Sequence, residues 1–168
     1  MDTSPSNFSQ EDIRFMTMAL QEAETAAAMD EVPVGAVVVA EGRVIARAHN
    51  LCERLRDFTA HAEMQAFTSA SEYLGGKFLD KCTLYVTLEP CPMCAGAAFW
   101  TRIGRVVYGA KDEKRGHSKF DGELTMLHPK TKCEGGSWPK SLLNCSPSSS
   151  APSVKPPLSR WRVPLRHA

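Results

Sequence analysis

The sequence predicts an α/β fold: a mixed β-sheet with helices on both faces, three layers deep, followed by a C-terminal segment that does not fit it. Three observations carry this. The run Val34-Gly-Ala-Val-Val-Val-Ala40 is too uniformly apolar for a half-exposed strand, so both faces of the sheet must be covered. Stretches of helical periodicity alternate with such runs. The passage from Thr83 to Gly109 reads strand, helix, strand, a crossover that implies parallel pairing and a right-handed connection.

Each element has a local reason. Ser9 is a candidate N-cap, with Phe8 and Ile13 spaced as a hydrophobic staple, and Ile13, Met16, Leu20, Ala23 and Ala27 then follow helical spacing. The Val34–Ala40 run, Glu41-Gly42 and Arg43–Ala48 read as a buried hairpin. Residues 50–57 are polar and irregular. Thr59 is placed to cap a helix carrying His61, Glu63, Met64, Ala66 and Phe67, which Gly75-Gly76 stops. Thr83–Thr87 is a third strand, Pro90 and Pro92 fall in a helix's first turn, and Arg105–Gly109 is a fourth strand. The expected order is αββαβαβ.

A chain of 168 residues, 43% of them hydrophobic, suits one globular domain. No run of about 18 apolar residues occurs and the first residues are polar, so neither a membrane span nor a secretory signal is expected, and the default location is the cytoplasm. Two of the six cysteines form a Cys-x-x-Cys and the other four are scattered, which fits reduced thiols rather than disulfides. The net charge of +1 hides an asymmetry, because residues 137–168 hold five Lys or Arg and no acid. Removing those five from the chain's 20 leaves 15 basic against 19 acidic groups, a net of −4. A mildly acidic body needs a local basic surface to bind nucleic acid, and Arg102 to Lys132 offers eight cations against four acids. A solvated loop face is the plainer reading of that stretch.

The chemistry concentrates in His61-Ala62-Glu63 and Glu89-Pro90-Cys91-Pro92-Met93-Cys94. One imidazole and two thiolates make three zinc ligands and leave a fourth tetrahedral corner for water, the pattern of a catalytic site. Both half-sites fall where a helix is expected to begin, and the positive end of a helix favours thiolates. His61 and Glu63, two apart, diverge on an ideal helix, so a metal belongs at its frayed start. A structural zinc would take its fourth ligand from His49, Cys52 or Cys82. A redox dithiol would leave His61 and Glu63 without a role.

The pairing of H-x-E with P-C-x-x-C is the signature of base-modifying zinc deaminases. Through it, and through Glu31-Val-Pro-Val-Gly-Ala-Val37, Asn50, Thr59–Ala66, Thr83–Ala97, Arg102–Ala110 and Leu127–Lys130, the chain resembles the cytidine deaminase superfamily, most closely its bacterial tRNA adenosine deaminase branch. The resemblance implies Zn2+, one per subunit, held by His61, Cys91 and Cys94. It implies Glu63 as the proton carrier while water attacks C6 of a wobble adenosine and ammonia leaves. It further implies nucleoside contacts from Asn50 and Ala62, and a homodimer bound to the anticodon stem-loop of tRNA. For Asn50 a turn residue after a strand is the alternative. Lys114 and Arg115, in the Lys111–Lys119 stretch, are the expected partners of stem phosphates. A free-base or nucleotide deaminase for guanine, cytosine or deoxycytidylate is the runner-up, and an inactive RNA-binding module the reading from another class.

On this reading residues 1–136 form the deaminase domain and 137–168 a Pro/Ser-rich basic tail holding six of the eleven prolines. Members of the branch continue here with a helix. Codons for Gly136 to Ser146, read one base earlier, can encode such a helix, starting Val-Leu-Ala-Glu-Glu. The tail is therefore expected to be either a frameshifted C-terminus or a disordered extension.

Overall fold

In the computed structural model, residues 8–122, 125–136 and 138 are described. Helix α1 (Gln10–Ala28) starts at the Ser9 N-cap, which forms a capping box with Asp12. The hairpin β1 (Gly35–Ala40) and β2 (Arg43–His49) leads to a one-turn helix α2 (Cys52–Leu55), then α3 (Ala62–Leu74), β3 (Cys82–Leu88), α4 (Pro92–Thr101), β4 (Arg105–Ala110) and β5 (Lys132–Gly135). The five strands lie in the order β2-β1-β3-β4-β5. β1 is antiparallel to β2 and β3, while β3, β4 and β5 run parallel, so the sheet is mixed as expected.

Alternation along the strands supplies two cores. Val37, Val39, Tyr85 and Val107 pack with Phe15, Met16 and Ala19 of α1. Their neighbours Ala36, Val38, Leu84, Val86 and Val106 pack with Ala62, Ala66, Phe67 and Ala70 of α3 and Ala95 and Ala98 of α4 on the other face. β1 is buried along nearly its whole length, as its apolar run requires.

The sequence reading needs local correction. The buried stripe of α1 is Asp12, Phe15, Met16, Ala19, Ala23 and Ala26, rotated from the expected one so that Ile13 and Leu20 are only half-buried. Residues 50–57 are not irregular throughout, because α2 forms there. Thr59 caps nothing: its amide and hydroxyl both donate to Asp57 Oδ1 at 2.8 Å, and His61 itself is the N-cap of α3. Gly75, in left-handed backbone (φ 64°), ends α3 as read. Pro92 is the first residue of α4, whereas Pro90 precedes its Cys91 N-cap. β5 was not anticipated. Apart from Trp138, the tail lies outside the described residues.

Candidate metal centre and active site

α3 and α4 lie on the same sheet face and bring their N-terminal ends together. His61 and Cys91 are the respective N-caps, both in extended backbone, and neither side chain caps its own helix. Cys94 sits one turn into α4. His61 Nδ1 lies 3.7 Å from Cys91 Sγ and 3.5 Å from Cys94 Sγ, and the three ligating atoms are all within 4.8 Å of one another. A tetrahedral centre with bonds of about 2.1 Å to nitrogen and about 2.3 Å to sulfur requires N···S edges of about 3.6 Å. The spacing fits a metal.

The protons tell the same story. The Cys91 thiol is pulled down to about 4, chiefly by a hydrogen bond from Cys94 and then by His61, against the effect of burial. Cys94 is pushed the other way by the Cys91 thiolate and by burial. His61 is raised by its bond to Cys91. Three lone-pair donors crowded around one point thus compete for protons, a conflict that a divalent cation removes by taking their place. His61, Cys91 and Cys94 form the one group of this kind among the described residues. The possible fourth protein ligands are engaged elsewhere: His49 Nδ1 meets Glu22 at 2.9 Å, Cys52 donates to Asn50 Oδ1 at 3.4 Å, and Cys82 is buried at the start of β3. Among the described residues, the structural-zinc reading therefore lacks its fourth side chain.

Glu63 is the second residue of α3, only 4% exposed, and burial raises its carboxyl above the usual range. Ala62 is fully buried at the first position of α3, so only its backbone can serve a ligand. Asn50 is buried too, but its amide donates to Glu31 Oε2 at 3.1 Å and its carbonyl accepts from Cys52. The turn-residue account of Asn50 thus has direct contacts behind it. Lys114 and Arg115 are exposed, with their backbone N–H groups both donating to Asp112 Oδ1 at 2.9 Å.

Two residues that the sequence reading quoted but gave no role are buried acids. Glu31 Oε1 accepts from Arg54 N–H at 2.8 Å and Oε2 from Glu53 N–H at 3.2 Å, fixing the turn after Asn50. Glu89 binds amides of the 112–118 loop. An acid inside an apolar or proline-rich stretch was the available signal, but their partners lie 19 to 29 residues away in sequence.

Against known proteins, the model of the MafB19-like deaminase family matches residues 10–134. The tRNA-specific adenosine deaminase of Aquifex aeolicus is 51% identical over 102 residues, 61% of this chain and 68% of that protein. A structure from a study of A-to-I editing by tRNA:A34 deaminases superposes with a TM-score of 0.69 at 45% identity, covering 75% of this chain and 99% of that one. Guanine deaminase from Bacillus subtilis reaches a TM-score of 0.58 at 37% identity, covering 67% and 68%. With a family match over most of its length, laid across the His-Cys-Cys group and the buried Glu63, the chain belongs to the MafB19-like deaminase family and so to the cytidine deaminase superfamily.

Proposed function

We propose that this protein is a zinc-dependent deaminase that converts adenosine to inosine at the wobble position of tRNA and releases ammonia. The observation that carries the reading is the convergence of His61, Cys91 and Cys94 at tetrahedral spacing beside a buried carboxyl. Zinc held by these three would supply a Lewis-acidic centre that brings the pKa of a water near neutrality. The remaining work falls to side chains. Glu63, with its proton affinity raised by burial, takes one proton from the attacking water and gives it to the adenine ring nitrogen, then carries the second proton, from the hydroxyl now on C6, to the amino group as it departs as ammonia. The wall around it is dry, with Ala62, Cys94 and Ala95 fully buried, which strengthens each charge interaction at the reacting centre.

A wobble base lies in a loop and enters such a pocket at small cost in stacking. On this reading the exposed Lys114 and Arg115 would meet the flanking phosphates, and Asn50 and the backbone of Ala62 would contact the nucleoside. From this proposed action on tRNA we infer a cytoplasmic location. No helix among the described residues is long and apolar enough to cross a membrane. A homodimer, expected from the family, would cover Trp100, which is 78% exposed on the otherwise apolar α4, and sedimentation tests it.

The likeness to guanine deaminase favours a second reading, a free-base deaminase. Ammonia release measured across tRNA, adenosine, guanine and cytidine separates the two, and zinc content near one per chain is expected. Turnover of guanine without turnover of tRNA would replace the leading reading. Residues 137–168 we infer to lie outside the deaminase domain and to follow a shift of reading frame. Trp138 itself still packs on the domain, buried against Phe8 with ring centroids 4.3 Å apart; what supports the shift of frame is that its indole N–H has no acceptor among the described residues. Sequencing across codons 134–150 tests this: if no single-base change restores a helix, the inference is wrong.

A further inference from the structure

We propose that Glu89 is a positioning residue whose buried carboxylate holds the 112–118 loop, and with it Lys114 and Arg115, at a fixed distance from the metal ligands. The proposal rests on the deaminase reading above and adds a specific device to it. The Glu89 side chain is wholly buried. Its Oε2 accepts from Asp112 N–H and its Oε1 from Ser118 N–H, each at 3.1 Å, so one carboxylate holds both ends of the loop. The carbonyl of Pro90 adds a third tie by accepting from His117 N–H at 2.9 Å. On the loop's own side, Asp112 Oδ1 accepts from Lys114 and Arg115, and the Asp112 carbonyl accepts from Gly116 N–H at 2.9 Å. A continuous set of hydrogen bonds therefore runs from the residues just before Cys91 to the backbone of both cations.

The approach is close enough to exclude a side chain. A Cβ at Gly116 would lie 2.3 Å from Glu89 Oε2 and 2.7 Å from the Asp112 carbonyl, so the loop seats on Glu89 only with glycine at that position. Lys114 and Arg115 themselves are exposed. What the clamp fixes is their position relative to the reacting centre, and a loosened loop has to be ordered again each time a substrate binds, a cost that falls on affinity rather than on the chemical step.

Two variants strain the clamp from opposite sides. E89Q keeps shape but replaces one acceptor with an NH2 group facing a buried N–H donor. G116A pushes on the carboxylate from the loop. Both should raise KM for an anticodon stem-loop about tenfold, with kcat within about twofold and zinc content unchanged, and E89Q should add little in a K114A/R115A background. Trypsin should cut after Lys114 and Arg115 about tenfold faster in either variant, a readout that needs no substrate. Unchanged KM and unchanged cleavage overturn the proposal. So does a fall in kcat or zinc content at constant KM, which would assign Glu89 to the metal site. A wild-type protein inert on the stem-loop overturns the functional reading instead, and the tryptic rates still decide the clamp.

Discussion

The two faces of the sheet each bury a polar cluster, and the clusters are built on opposite principles. Under α1, Asp12 accepts from Tyr85 Oη at 2.8 Å, from Arg105 Nη1 at 2.6 Å and from the Ser9 amide and hydroxyl, while Arg105 reaches on to Glu134 of β5 at 2.6 Å. Donors and acceptors complete one another. Under α3 and α4, His61, Cys91 and Cys94 are acceptors aimed at one point, with Glu63 buried beside them. That cluster is complete only with a cation. The first arrangement joins α1, β3, β4 and β5; the second gives up internal pairing to gain a reactive centre.

The sharpest way to break this comparison is Glu63→Ala. If Glu63 carries protons, turnover should fall by about 10³-fold or more, while zinc stays near one per chain and the melting temperature changes little, since the desolvation of a buried carboxyl and its hydrogen bond with Cys94 are removed together. Retained activity would show that the second cluster only binds metal. Asp12→Asn should do the reverse. It leaves Arg105 with Glu134 alone and sets an NH2 group among donors, at a cost of about 2–3 kcal/mol in denaturant unfolding, with zinc content and kcat unchanged at low temperature.

Acid sharpens the contrast further. Burial alone would raise the Asp12 carboxyl, but Arg105, Tyr85 and Ser9 outweigh it and hold it at about 2, against the usual 3.8. A depressed folded-state pKa contributes stability that is fully present above about pH 4 and is lost as pH falls through about 2. The contribution is about 2 kcal/mol. Unfolding free energies measured from pH 5 to pH 2 should therefore converge for wild type and Asp12→Asn. Parallel curves would detach Asp12 from the network.

How far each cluster was legible follows from the range of its contacts. His61, Glu63, Cys91 and Cys94 announce themselves within short motifs because one metal demands particular atoms at helix starts. Ser9, Gly75 and Pro92 act within a turn of themselves, so the helix ends they set were readable too. Asp12 reads as an ordinary first-turn acid, because its partners Tyr85 and Arg105 lie 73 and 93 residues away. That one buried carboxylate also explains why the α1 stripe was misplaced: a polar residue occupies the buried face. β5 has the polar sequence Lys-Cys-Glu-Gly, and what makes it a strand is the backbone edge of β4 rather than any propensity of its own. Glu31 and Glu89 are long-range in the same way.

The smallest expected effect belongs to Tyr85→Phe. The hydroxyl donates one hydrogen bond to Asp12 Oδ1, and burial together with that carboxylate raises its own pKa well above the ordinary tyrosine range. Removing it keeps the ring, including its contact with Phe15 at a centroid distance of 5.3 Å, and leaves Asp12 with Arg105 and Ser9. The loss should be about 1 kcal/mol, with zinc content and kinetics unaltered. Combined with Asp12→Asn, it should cost clearly less than the sum, because the hydroxyl's acceptor is already altered. Additive losses would reduce the α1-side cluster to an Asp12–Arg105 ion pair with a bystander tyrosine, and an isolated pair with Arg105 partly exposed would be too weak to tie three strands to a helix.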